Sequence, residues 1–149
     1  MIKIITFSDT HKHFTDAIKE YEKRMWRSID IINLKPSKKK VFWDIIKEET
    51  IQLNEKLKKE KWYKILLNID WKILSTQELL DLIETKKQTF SDIIFIIWWA
   101  YWFLVDSLEN IDFHLSFSPM TYPHSMAYLI LLEQIYRISM IQKWTWYHH

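Results

Sequence analysis

Three stretches of this chain end apolar runs with residues suited to holding a ligand. They are Leu67-Asn68-Ile69-Asp70-Trp71, Ile97-Trp98-Trp99-Ala100-Tyr101-Trp102, and the segment from Leu115 through Ser116, Phe117, Ser118, Pro119, Met120, Thr121, Tyr122 and Pro123 to His124. Open α/β sheets bind ligands at the carboxyl ends of their strands, so chemistry is to be sought at these three places. The second stretch is neither a G-x-G-x-x-G turn opening a long helix nor a phosphate loop followed by G-K-[ST], which argues against a nucleotide phosphate site. No cysteine is present, which excludes disulfides, thiolate catalysis and cysteine-based zinc sites. His11, His13 and His114 have no metal-like spacing, so no metal is expected.

The elements that must carry these stretches follow from periodicity. Met1 to Phe7 reads as a buried strand, and Ser8-Asp9-Thr10 supplies an N-cap for a helix from about His11 to Arg24. Phe14, Ala17, Ile18 and Tyr21 form that helix's apolar stripe. Ser28 to Leu34 is a second strand, and Phe42 to about Lys59 a long, exposed helix. Tyr63 to Ile69 is a third strand, apolar enough for a central parallel position. Ser75 and Glu78 make a capping box for a helix reaching about Lys86. Ser91 to Ile97 is the fourth strand, followed by a short helix near Val105 to Glu109 and a fifth strand around Phe113 to Phe117. Pro123 to Met140 is the last helix. Strands alternating with helices predict an α/β fold with a mainly parallel sheet, as one domain over residues 1–149.

Bulk properties narrow the function. The formal net charge of +2 is too small to mark a nucleic-acid binder by its field alone. The lysine-rich stretches Lys35 to Lys40 and Lys56 to Lys64 read as solvated faces and loops. The apolar start is too short for a signal peptide and no run approaches a membrane span, so a cytoplasmic protein is expected.

One compositional feature bears directly on the strand ends. The chain has no glycine and nine tryptophans, whereas average usage of about 7% would give roughly ten glycines. The tryptophans stand where glycines belong. Trp71 follows Asp70 as in a D-G turn, while Trp98, Trp99 and Trp102 punctuate the end of the fourth strand. Trp26 and Trp144 follow helical patterns where a left-handed residue is wanted. These positions are therefore expected to be glycine in the cell, written with UGA codons. A genuinely aromatic-rich chain is the competing reading, and the nine codons decide between them. With glycine, the second stretch becomes I-G-G-A-Y-G-F, a loop whose backbone N–H groups approach a ligand closely.

Taken together the motifs are specific. The I-x-x loop at Ile97, L-S-F-S-P-M-T-Y-P-H, L-E-Q-I-Y-R at residues 132–137, E-Y-E-K-R-M at residues 20–25 and the terminal Y-H-H closely resemble the RlmH family. These are SPOUT-class methyltransferases acting on pseudouridine in large-subunit ribosomal RNA. The resemblance covers essentially the whole chain, and Trp71, Trp98, Trp99, Trp102 and Trp26 fall on family glycines. It implies a C-terminal trefoil knot, an exception to the unknotted rule, that holds S-adenosylmethionine in a bent pose. It implies cofactor contacts at Leu67, Trp98, Phe117, Ser118, Pro119, Met120, Thr121 and Tyr122. Leu67, Ile97 and Met120 could wall an adenine. An indole at residue 98 would then occupy room that family members leave for the cofactor.

The implied reaction is methyl transfer to N3 of pseudouridine, which is mostly alignment of donor and acceptor plus removal of one proton. His124, directly after the cofactor loop, and His148 are the candidate bases, and Arg137 could bind a phosphate or stabilise imide charge. Tyr147 and His148 would reach the target nucleotide. Each has a structural alternative: His124 as a helix cap, Arg137 paired with Glu133 four residues away, and the terminal residues as disordered. The resemblance also implies a homodimer through the final helix, and the assembled ribosome as partner. Tyr128 replaces a frequent family arginine, and Ser8-Asp9 replaces a glycine-lysine pair. Two other readings stay open: an inactive relative acting as an RNA-binding or ribosome-assembly factor, and a transfer-RNA-directed SPOUT enzyme.

Overall fold

β1 (Ile2–Thr6) and β4 (Asp92–Ile97) form the centre of the molecule because their residues are apolar on both sides, as a strand covered on two faces requires. A computed structural model describes residues 1–7, 11, 13–58, 61–98 and 108–144. The other elements are α1 (Thr15–Met25), β2 (Ile29–Asn33), α2 (Phe42–Lys58), β3 (Trp62–Ile73), α3 (Thr76–Lys87), β5 (Phe113–Ser116) and α4 (His124–Gln142). The strands form one five-stranded sheet in the order β2-β1-β4-β3-β5, and every pairing is parallel. The expected α/β architecture is thus present, with β3 and β4 both interior.

Alternation along β4 divides the core. Ile93, Phe95 and Ile97 point to the face covered by α1, α3 and α4, where they meet Ile18, Ile83, Leu131 and Ile135. Ile94, Ile96 and Trp98 point to the other face, against Ile46, Leu53 and Leu57 of α2. The expected exposed helix α2 therefore buries a stripe of Ile46, Glu49, Leu53 and Leu57. In α4, the buried residues Tyr128, Leu131, Leu132, Ile135 and Ile138 recur at helical spacing and face α1 and α3.

Several boundaries differ from expectation for identifiable reasons. The first helix begins at Thr15 rather than His11. The His11 carbonyl accepts from both the Phe14 amide, at 2.8 Å, and the Thr15 hydroxyl, at 2.8 Å, closing a turn before the helix starts. Phe14 occupies the cap position without a side-chain bond. Ser8, Asp9 and Thr10 lie outside the described residues, as do positions 105–107 of the expected short helix. Trp71 does not end a strand in a tight turn: β3 runs on to Ile73, with a register shift against β5 between Leu67 and Lys72. Ser75 caps α3 as expected, with reciprocal bonds to the Glu78 backbone and side chain.

Candidate functional site

The carboxyl ends of β3, β4 and β5 and the start of α4 enclose a cleft of about 440 Å³, within the usual range for small-molecule sites. Leu66, Leu67, Ile97, Leu115 and Ala127 provide apolar walls. Of the residues expected to touch a cofactor, Leu67, Trp98, Phe117 and Ser118 line this cleft. So do Met120, Thr121 and Tyr122, whereas Pro119 does not. Met120 is 74% exposed and stands at the mouth rather than in a wall.

The loop from Phe117 to Tyr122 is shaped by two serines. Ser116 is buried, and its hydroxyl lies 2.6 Å from the Ile69 carbonyl and 2.8 Å from the Ser118 carbonyl. It thereby fastens the end of β5 to the irregular part of β3. The Ser118 hydroxyl accepts from the Met120 amide at 2.9 Å and lies 3.0 Å from the Tyr122 hydroxyl. This is a local side-chain turn that fixes the shape of the loop. A cofactor with a flat apolar heterocycle and a polar tail fits such a lining.

His124 opens α4 and lines the same cleft. Its Nε2 is 2.9 Å from the hydroxyl of Thr6, the fully buried last residue of β1. Burial pushes its imidazolium down to about 4, the neighbouring His11 pushes in the same direction, and a bond with the Ile97 backbone opposes both. The ring is therefore neutral at physiological pH. His11 also sits low, chiefly through burial and against the pull of Glu22. It stacks on Tyr128 at 5.0 Å between ring centres, and the Tyr128 hydroxyl donates to Glu22 at 2.9 Å. Burial beside Glu22 drives the Tyr128 phenol upward, so this hydroxyl keeps its proton. No individual role for Thr6, Ser116 or Glu22 follows from the sequence, although Ser116 lies in the third strand-end stretch and Glu22 in the E-Y-E-K-R-M motif. Thr6 carried one usable signal, a polar residue closing an otherwise apolar strand.

Arg137 is not part of this cleft. It binds Glu133 with Nε at 3.0 Å and Nη2 at 2.6 Å, the pairing expected of residues four apart. It lies thirteen positions along α4 from His124, which is about 20 Å along the axis. Tyr147 and His148 lie outside the described residues. No group of histidine and acidic residues suited to a metal occurs among the described residues. No helix among the described residues is long and apolar enough to cross a membrane.

Trp98 borders the cleft, and its indole packs on the α2 side of the sheet. It is 8% exposed and belongs to the α2 face, where Nε1 donates to the buried carboxylate of Glu49 at 3.1 Å. Trp144, just past α4, has φ of 56°, the left-handed conformation expected there. Trp26, expected to be left-handed too, has φ of −52° and continues the helical conformation.

Comparison with known proteins agrees with this arrangement. Residues 1–148 match a family model described as "Predicted SPOUT methyltransferase". The chain is 34% identical over 141 residues to the ribosomal RNA large subunit methyltransferase H of Fusobacterium nucleatum, covering 92% of this chain and 91% of that protein. It is 36% identical over 145 residues to the protein of the same name from Alkaliphilus oremlandii, again covering 92% and 91%.

Proposed function

Because the chain belongs to the SPOUT methyltransferase family, we propose that it transfers a methyl group from S-adenosylmethionine to N3 of a pseudouridine in large-subunit ribosomal RNA. The observation that carries this reading is the strand-end cleft, with apolar walls from three strands and a serine-braced loop at its edge. Relatives named for methylation of large-subunit ribosomal RNA supply the substrate class.

In this reading Leu67, Ile97 and Leu115 hold the adenine, while backbone groups of residues 117–122 and the tip of β4 orient the rest of the cofactor. The cofactor supplies a methyl group already activated on a sulfonium. The protein's task is alignment of that group with the target and exclusion of water. His124 is a positioning residue: neutral and bonded to Thr6, it locks β1 and β4 to the start of α4. A ring so weakly basic suits proton removal poorly, which leaves His148 as the base of the proposal and Tyr147 beside it as a nucleotide contact. Arg137 reaches a target only if the site is completed by a second copy, so the proposed unit is a homodimer joined along α4, with a knotted C-terminal region. The half-buried apolar residues Ile130 and Met140 suit that face.

Deletion of the gene in its own cells tests the reading. Nuclease mapping of large-subunit ribosomal RNA by mass spectrometry should show loss of one methyl on a pseudouridine, restored by returning the gene. Unchanged ribosomal RNA refutes it. A methyl lost from transfer RNA instead would assign the chain to the transfer-RNA-directed relatives, and unchanged RNA with disturbed subunit assembly would make it an inactive assembly factor.

A further inference from the structure

An indole presents a large apolar surface that folded chains normally cover. Here Trp26, Trp43, Trp71 and Trp144 are exposed by 67, 63, 49 and 95%. Trp144 is also left-handed, with φ of 56°. Its amide donates to the Ile141 carbonyl at 2.9 Å, closing the end of α4. A β-carbon enters that conformation against steric repulsion, and helix ends of this kind are the usual place of glycine. Asn110, the other described residue with positive φ, at 62°, is of a type that tolerates it. Trp71 lies within the register shift of β3, another customary glycine position.

Composition adds an independent observation. A chain of 149 residues without glycine but with nine tryptophans departs from ordinary usage in two opposite directions. One codon accounts for both. UGA is read as tryptophan under some translation tables, and each glycine spelled with it then becomes a tryptophan. Lysine and isoleucine, whose codons are rich in A and U, abound, while proline is reduced to three. The same base composition depletes the G-rich glycine codons.

We propose that the polypeptide made in the cell carries glycine at all nine tryptophan positions, its gene spelling glycine as UGA. At the β4 tip this leaves a wall of bare backbone beside the cleft. Two observations oppose the proposal: the Trp98–Glu49 hydrogen bond, and Trp26, whose φ of −52° needs no glycine. With glycine at 98, Glu49 retains the Ser37 amide, which donates to it at 3.1 Å. Trp62, buried under Lys3 and Lys56, enters the proposal through composition alone.

The test is the mass of the protein purified from its own cells, a readout independent of any methyltransferase activity. The intact mass should fall below 18.5 kDa by nine indolylmethyl groups each replaced by hydrogen. Peptide sequencing should show glycine at 71, 98 and 144. Tryptophan at any of these three, or UGG at most of the nine codons, overturns the proposal. In protein expressed with tryptophan, Trp144→Gly should raise the thermal midpoint, and an unchanged or lowered midpoint removes the conformational argument.

Discussion

At the scale of single residues, the contact between Thr6 and His124 joins the first strand to the last helix. The two are 118 positions apart and 2.9 Å from each other. Burial keeps the histidine neutral in the fold, while in the unfolded chain it takes up a proton near its ordinary value of 6.5. The unfolded state therefore binds more protons between pH 6.5 and about 4, so stability is full above that window and falls as pH drops through it. The loss should be up to about 3 kcal/mol, lessened where solvent reaches the ring. His11, shifted the same way, adds to it. Urea midpoints measured across this range should fall with acid, and His124→Gln should flatten the curve; an equally steep curve in that variant would move the effect elsewhere. Thr6→Val should cost about 1–3 kcal/mol, since it keeps the shape and removes the hydroxyl that meets the part-buried His124 ring. Thr6→Ser should recover most of that stability. A loss in Thr6→Ser as large as in Thr6→Val would attribute the effect to the methyl group rather than the hydroxyl.

At the scale of elements, the clearest match between a contiguous signal and the fold is the start of α3. The capping box at Ser75 and Glu78 is a contiguous four-residue signal, and both of its reciprocal bonds are present. Ser75→Ala should therefore cost about 1 kcal/mol by thermal or urea denaturation, and an unchanged midpoint would show that packing of Leu79, Leu80 and Ile83 alone holds α3. The apolar run Tyr63 to Ile69 likewise pointed to an interior parallel strand, the position that β3 holds between β4 and β5. Two things were hidden because they depend on partners distant in the chain. The continuation of β3 through Trp71 depends on pairing of Lys72 and Ile73 with β5. The late start of α1 depends on a turn at the His11 carbonyl that competes with the good caps upstream. The cleft itself was legible as strand ends, since much of its lining comes from the three stretches marked by apolar runs and polar residues. Its brace was not, because Ser116 reaching the Ile69 carbonyl is a contact between strands whose adjacency no local pattern reveals.

At the scale of the whole molecule, the cleft exists only while β3, β4, β5 and α4 are held together, so a ligand there must stabilise the global fold. S-adenosylmethionine at a hundred times its dissociation constant should add about 2.7 kcal/mol. For a domain of this length that corresponds to a rise of roughly 5–10 °C in the thermal midpoint. Ala127 separates binding from folding, because it lines the cleft from the first turns of α4 without being fully buried. Ala127→Leu fills part of the space with a strong helix former. The unliganded variant should unfold near the parent temperature and lose most of the cofactor-induced rise. Full retention of the rise would place the cofactor somewhere other than these strand ends. Loss of the rise together with a lowered unliganded midpoint would mean that the change damages the packing of α4 on the sheet. In that case Leu67→Ala, which empties the opposite wall and leaves α4 untouched, should weaken the rise by enlarging the cleft. A rise undiminished by that change as well would exclude the cleft as the cofactor site.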